Sequence, residues 1–127
     1  MLSKLLILNT LFLSQGIIFK GVNAPSYDKN GALESLLTSR TALHQNSIFI
    51  LNDVQLLTYG SDRQTITTPN CIYDPAKKTL NGNEKVEIKS LKMNVKGKGF
   101  DFDQSTKILK IHSNVLINLT VNEENKL

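Results

Sequence analysis

Asp28, Asp74 and Asp103 are the carboxylates best placed to do chemistry, because each follows an aromatic residue (Tyr27, Tyr73, Phe102) and opens a turn. General acid/base catalysis needs two such groups facing each other across a substrate. Asp74 and Asp103 instead hold matching places in a segment that occurs twice, 29 residues apart, so they mark equivalent turns spaced along a sheet. An aspartate at such a turn caps backbone N–H groups. His44 and His112 stand alone and supply no zinc ligand set. Cys71 is the single cysteine; it has no disulfide partner, neither histidine is near it in sequence, and it reads as a small buried hydrophobe. Gly97 and Gly99 lie in a strand pattern with no helix after them, which leaves no phosphate-binding loop. The residues offer no catalytic centre, metal site or cofactor site, and the chain is not expected to be an enzyme.

The repeat says what positions these residues. Tyr73-Asp74-Pro75-Ala76-Lys77-Lys78-Thr79-Leu80, leading into Val86-Glu87-Ile88, is echoed by Phe102-Asp103-Gln104-Ser105-Thr106-Lys107-Ile108-Leu109, leading into Val115-Leu116-Ile117. The match extends backwards to Ile66 and Val95. One structural unit, a turn followed by alternating strand residues, is laid down twice, which points to stacked β-rungs.

The rest of the body also reads as strands. Asn30-Gly31 is a tight-turn signal between an extended stretch ending at Tyr27 and a strand over 32–37. Residues 47–59 form one long bent strand or two joined at Asn52-Asp53, ending at Gly60-Ser61-Asp62. Residues 64–72 follow, with Pro69 as a bulge or edge position. Turns are expected at Asp74-Pro75 and at Asn81-Gly82-Asn83, on either side of a short strand over 78–80. Residues 85–89 and 92–99 then alternate, with Val86, Ile88, Met93 and Val95 facing inward and lysines facing outward. The row Lys92, Lys96, Lys98 is a solvated face that blunts an exposed edge. Helical periodicity appears nowhere after Gly60, so the body is all-β with short antiparallel strands.

Charge and composition narrow the function. The net charge of +4 is modest, and the lysines are not interleaved with aromatic residues, which make up only 6% of the chain, so nucleic acid is not the expected partner. Hydrophobic residues at 40% and charged residues at 20% describe a globular chain. Residues 1–20 have the layout of an export segment: Lys4 supplies a positive charge and residues 5–19 carry none. Fifteen helical residues span about 22 Å against a hydrocarbon core of about 30 Å. Retention as a short anchor, with Lys4 and Lys20 snorkelling at its ends, and cleavage as a signal peptide both stay open. Ser14-Gln15-Gly16 has the small-x-small pattern of a cleavage site, whereas Val22-Asn23-Ala24 is followed by the disfavoured Pro25. Residues 21–121 make the folded domain and 122–127 a polar tail.

Four motifs in order now carry a resemblance. They are Tyr27-Asp28-x-x-Gly31-Ala32-Leu33; Leu51-Asn52-Asp53-Val54-Gln55-Leu56-x-x-Tyr59; Tyr73-Asp74 with Leu80 and Val86-Glu87-Ile88; and Gly97-x-Gly99-Phe100-x-x-Asp103. Behind an export segment, their spacing resembles the periplasmic domain of the lipopolysaccharide-export LptC family, related to OstA-like domains. The resemblance implies a β-jellyroll folded like a taco, whose greasy interior takes lipopolysaccharide acyl chains. It implies periplasmic placement with an N-terminal helix tethered in the inner membrane. The partners it implies are an ABC transporter and a soluble bridge protein, joined through strand edges. It carries no catalytic residue. In two respects the chain departs from the family pattern: no linker separates the uncharged stretch from the jellyroll, and it ends soon after Leu119 where longer members continue.

On that reading the lipid-binding inner face comprises Val54, Leu56, Val86, Ile88, Met93, Val95, Ile111, Val115 and Ile117. A sheet with too few residues to fill its own sandwich leaves a trough that lipid tails can occupy. At about 25 cal/mol per Å², a few hundred Å² of acyl chain contributes on the order of several kcal/mol, a magnitude suited to handover. The alternative from another class is an exported β-scaffold or interaction module with a sealed core and no lipid ligand.

Overall fold

The structure, a computed structural model, describes residues 16–60 and 62–120. Seven strands follow one another: β1 (Ile17–Tyr27), β2 (Leu33–Gln45), β3 (Ile48–Thr58), β4 (Gln64–Asp74), β5 (Thr79–Ser90), β6 (Met93–Asp103) and β7 (Ile108–Leu119). They pair antiparallel in sequence order in a single open sheet, so the architecture is all-β and jellyroll-like, with no crossover connection. The expected N-terminal helix lies outside the described residues. The sheet begins at Ile17, inside the stretch assigned to the export segment, because residues 17–20 pair with His44, Leu43, Ala42 and Thr41.

The strands are long, 11 to 13 residues, and not short as the turn signals suggested. The reason is a break in the middle of each strand that bends it without ending it. The pairing is interrupted at Gly21 and Arg40, at Asp53, around Pro69, at Asn83-Glu84, at Gly97 and at Asn114, a line that crosses the whole sheet. Gly21, Asp53, Gly99 and Asn114 adopt positive φ along this line. Register is kept across the line from β1 to β4 and shifts there from β4 to β7, but in both cases the alternation changes phase, as from Ser39 to Ala42 and from Leu51 to Val54, so both halves of a strand turn their apolar residues to the same side.

Register then defines two rungs that cross all seven strands. One runs Ile17, His44, Phe49, Tyr73, Leu80, Phe102, Leu109; the other runs Ala24, Leu37, Leu56, Ile66, Ile88, Val95, Ile117. The two arms close on each other along the line of breaks. Leu56 and Ile66 from one arm and Leu80, Phe100 and Phe102 from the other line a common cavity of only about 10 Å³, room for about one water molecule and none for an acyl chain. Phe100, Leu51, Leu56 and Val86 are the largest fully buried side chains.

The turns follow their aspartates. Asp74 Oδ1 accepts the N–H groups of Ala76 (3.0 Å) and Lys77 (3.3 Å). Asp103 Oδ1 accepts those of Ser105 (2.8 Å) and Thr106 (3.4 Å). Lys78 and Lys107 close the two turns at φ 55° and 61°, so the repeat is a repeat of geometry as well. Asp28 Oδ1 does the same for Asn30 (2.8 Å) and Ala32 (3.0 Å). Asn81-Gly82-Asn83, expected as a turn, instead continues β5: Gly82 pairs with Phe100. A Cβ at Gly82 would lie 2.6 Å from the Phe100 ring, so the glycine is there to let that ring cross the strand.

Candidate ligand-binding face and sheet edges

All nine residues expected to bind lipid lie on the inner face, as register and alternation require. The structure divides them into three environments. Val54, Leu56, Val86, Ile88 and Val95 are buried in the closed core, and Met93 and Ile111 are half-buried against it. Val115 and Ile117 are about half exposed, at 51% and 55%, because among the described residues β7 has no neighbour beyond it. Leu37, Ile66, Leu80, Phe100 and Phe102 share this face and were not among the residues expected to bind lipid. Phe100 and Phe102 carried a signal, since the repeat places Phe100 on Cys71 and Phe102 on Tyr73.

Two open regions adjoin the core. The larger, a mouth of about 840 Å³, lies where the free ends of the arms approach each other. Its floor is Ile66, Tyr73, Phe102 and Leu109, and its rim carries Glu34, Lys78, Gln104 and Lys107. Burial pushes the Tyr73 phenol above its ordinary value, with the Asp74 charge adding to it. The second, about 660 Å³, is a groove beside the line of breaks with Lys85, Glu87, Lys96 and Asp53 on its walls. Lys96 and Lys89 both lie near the Glu87 carboxylate, at 3.9 and 4.0 Å, so of the row Lys92, Lys96, Lys98 one member is locally balanced.

The two outer strands differ in how they are guarded: β1 carries Lys20, Pro25 and a bulge at Ser26-Tyr27, whereas β7 is poorly guarded. Natural sheet edges are usually blunted by charge, proline or bulges. Between Ile108 and Leu119, however, β7 carries only Lys110 as a fixed charge, and it exposes Ile108, Val115, Leu116, Ile117 and Leu119. The opposite edge exposes Ile17, Ile18, Phe19 and Tyr27. Cys71 is buried and its thiol is pushed up to about 12 by loss of solvent, so it is inert as a nucleophile. His112 Nε2 bonds Asp101 Oδ2 at 2.8 Å on the outer face, and among the described residues no three His, Cys, Asp or Glu side chains converge as a metal site.

The fold is thus a single bent β-sheet with an apolar inner face and two outer strands. The profile of the lipopolysaccharide-assembly, LptC-related family matches residues 14–120, and the chain belongs to that family. No curated protein matches. Among solved structures the fold is similar to LptH of Pseudomonas aeruginosa, the LptA-homologous periplasmic component of the lipopolysaccharide transport device. The TM-score is 0.55 at 9% identity, covering 87% of this chain and 98% of that one.

Proposed function

We propose that this chain is a periplasmic link in lipopolysaccharide export. It holds acyl chains on its inner face and passes them from the inner-membrane ABC transporter towards the outer membrane through a soluble bridge protein. The observation that carries the reading is a continuous seven-strand apolar rung, from Ala24 to Ile117, ending at one side on the nearly uncharged, apolar edge of β7. A neighbouring protein that pairs with an edge extends the sheet and the apolar face together, giving a lipid a continuous path. The acyl chain takes the place of contacts between the arms, starting from the half-buried Met93 and Ile111 and the exposed Val115 and Ile117. The domain is tethered at the inner membrane by its N-terminal segment. If that segment is cut, the cut falls at Gly16, since removal through Ala24 would strip most of β1 from the sheet.

The scaffold reading draws support from one feature, the near absence of space in the closed core between the central strands. A photo-crosslinking residue in place of Val95, on the inner face, separates the two. The carrier captures lipopolysaccharide there and not at the adjacent outward Lys96. A scaffold captures it at neither.

A further inference from the structure

Every strand pairs only with its sequence neighbours, so nothing in the hydrogen-bonded sheet holds the two arms together. The closed state rests on side chains of the core and, among the described residues, on one ion pair between elements that are not neighbours in the sheet. Lys107 Nζ, in the β6–β7 turn, lies 2.7 Å from Glu34 Oε1 near the start of β2. The other ion pairs join adjacent strands or residues of one strand, Arg40 with Asp53 and Glu87 with Lys89 and Lys96, as does the hydrogen bond of His112 with Asp101.

Both partners of the crossing pair are held by backbone. Lys107 N–H donates to Asp103 O at 2.7 Å, and Gln104 N–H donates to Lys78 O at 2.9 Å, tying the β6–β7 turn to the β4–β5 turn. Tyr59 N–H donates to Glu34 O at 3.0 Å, fixing the opposite post. Behind the pair lies the mouth, with Ile66, Tyr73, Phe102 and Leu109 as its floor. The repeat sharpens the point, because Lys78 occupies the equivalent turn position and also lines the mouth, yet Glu34 engages Lys107.

We propose that Glu34 and Lys107 form a latch across the mouth, and that its opening admits an acyl chain to the inner face. What passes the latch rests on the carrier reading above; the latch itself is a property of the arms. An exposed ion pair is weak and screened by salt. That weakness suits a gate that must yield to a hydrophobic ligand on each transfer.

The test uses the full chain with Cys71→Ala and spin labels at positions 30 and 106, in the two exposed turns flanking the mouth. The latch predicts a narrow short distance in the parent and a longer, broader one in Glu34→Gln and Lys107→Met. It predicts recovery of the short distance in the double swap Glu34→Lys/Lys107→Glu. In parallel, the unlabelled single variants should take up a fluorescent fatty acid about threefold faster than the parent, and the swap should return to the slow rate. Unchanged distances in the single variants overturn the latch, as do longer distances with an unchanged uptake rate. If the distances shift but no variant, nor the parent, takes up the fatty acid, the latch stands and the carrier reading fails.

Discussion

The hairpins β4–β5 and β6–β7 share one frame, yet the same positions meet opposite environments in them. Val86 and Ile88 are 2% and 3% exposed, whereas Val115 and Ile117, their equivalents in the second copy, are 51% and 55% exposed. The turns are superimposable in their bonding, and both inner faces are apolar, so the difference comes from position alone: among the described residues β5 has a neighbour on each side and β7 has one. The sequence changes run in an unexpected direction for an edge. Thr79, Glu87 and Ser90 of the first copy become Ile108, Leu116 and Leu119 in the second, all exposed. An edge strand that becomes greasier than its buried counterpart is an edge adapted to being covered.

The largest consequence is for stability. Ile88→Ala should cost about 3 kcal/mol in denaturant unfolding, because it leaves a cavity in a closed core. Ile117→Ala should cost under about 1 kcal/mol. Equal losses would mean that β7 is already buried in the isolated chain and that the comparison fails.

The next effect concerns association. Leu116→Lys with Leu119→Lys restores ordinary edge protection and should weaken capture of the bridge protein by at least about tenfold, with the unfolding midpoint nearly unchanged. Unaltered capture would move docking to the β1 edge.

Much of this was legible in the sequence, for local reasons. Alternation placed Val86, Ile88, Met93 and Val95 on one face, aspartates marked the turns, and Asp53 and Pro69 signalled bends. Long-range facts were not legible. Asn81-Gly82 has the composition of a turn, and only the Phe100 ring lying across Gly82 explains why it stays in β5. Residues 17–19 look like the end of an export segment because their strand partners are more than twenty residues away. The arms' closure brings Lys107 to Glu34 and leaves no trace in the spacing of either residue.

A smaller effect separates the copies again at Cys71, which stands where Phe100 stands in the second. Its folded-state pKa is raised from 9.0 to about 12, so the unfolded chain releases this proton first as pH rises. The stability tied to the neutral thiol is complete below about pH 9 and is lost as pH climbs towards 12. By pH 10 the loss should reach about 1.4 kcal/mol, and Cys71→Ala should lack that slope. Parallel pH profiles in the two proteins would show that the thiol is reached by solvent.

The claim that the inner face carries lipid is tested most directly at two adjacent residues of β7. Leu116 and Ile117 are almost equally exposed, at 56% and 55%, but they lie on opposite faces of the sheet, paired with Lys96 and Val95 respectively. A photo-crosslinking residue placed at each, in cells exporting lipopolysaccharide, controls for exposure and strand position at once. Capture of lipopolysaccharide at Ile117 with little at Leu116 is the predicted result; equal capture at both, or capture at neither, would contradict it.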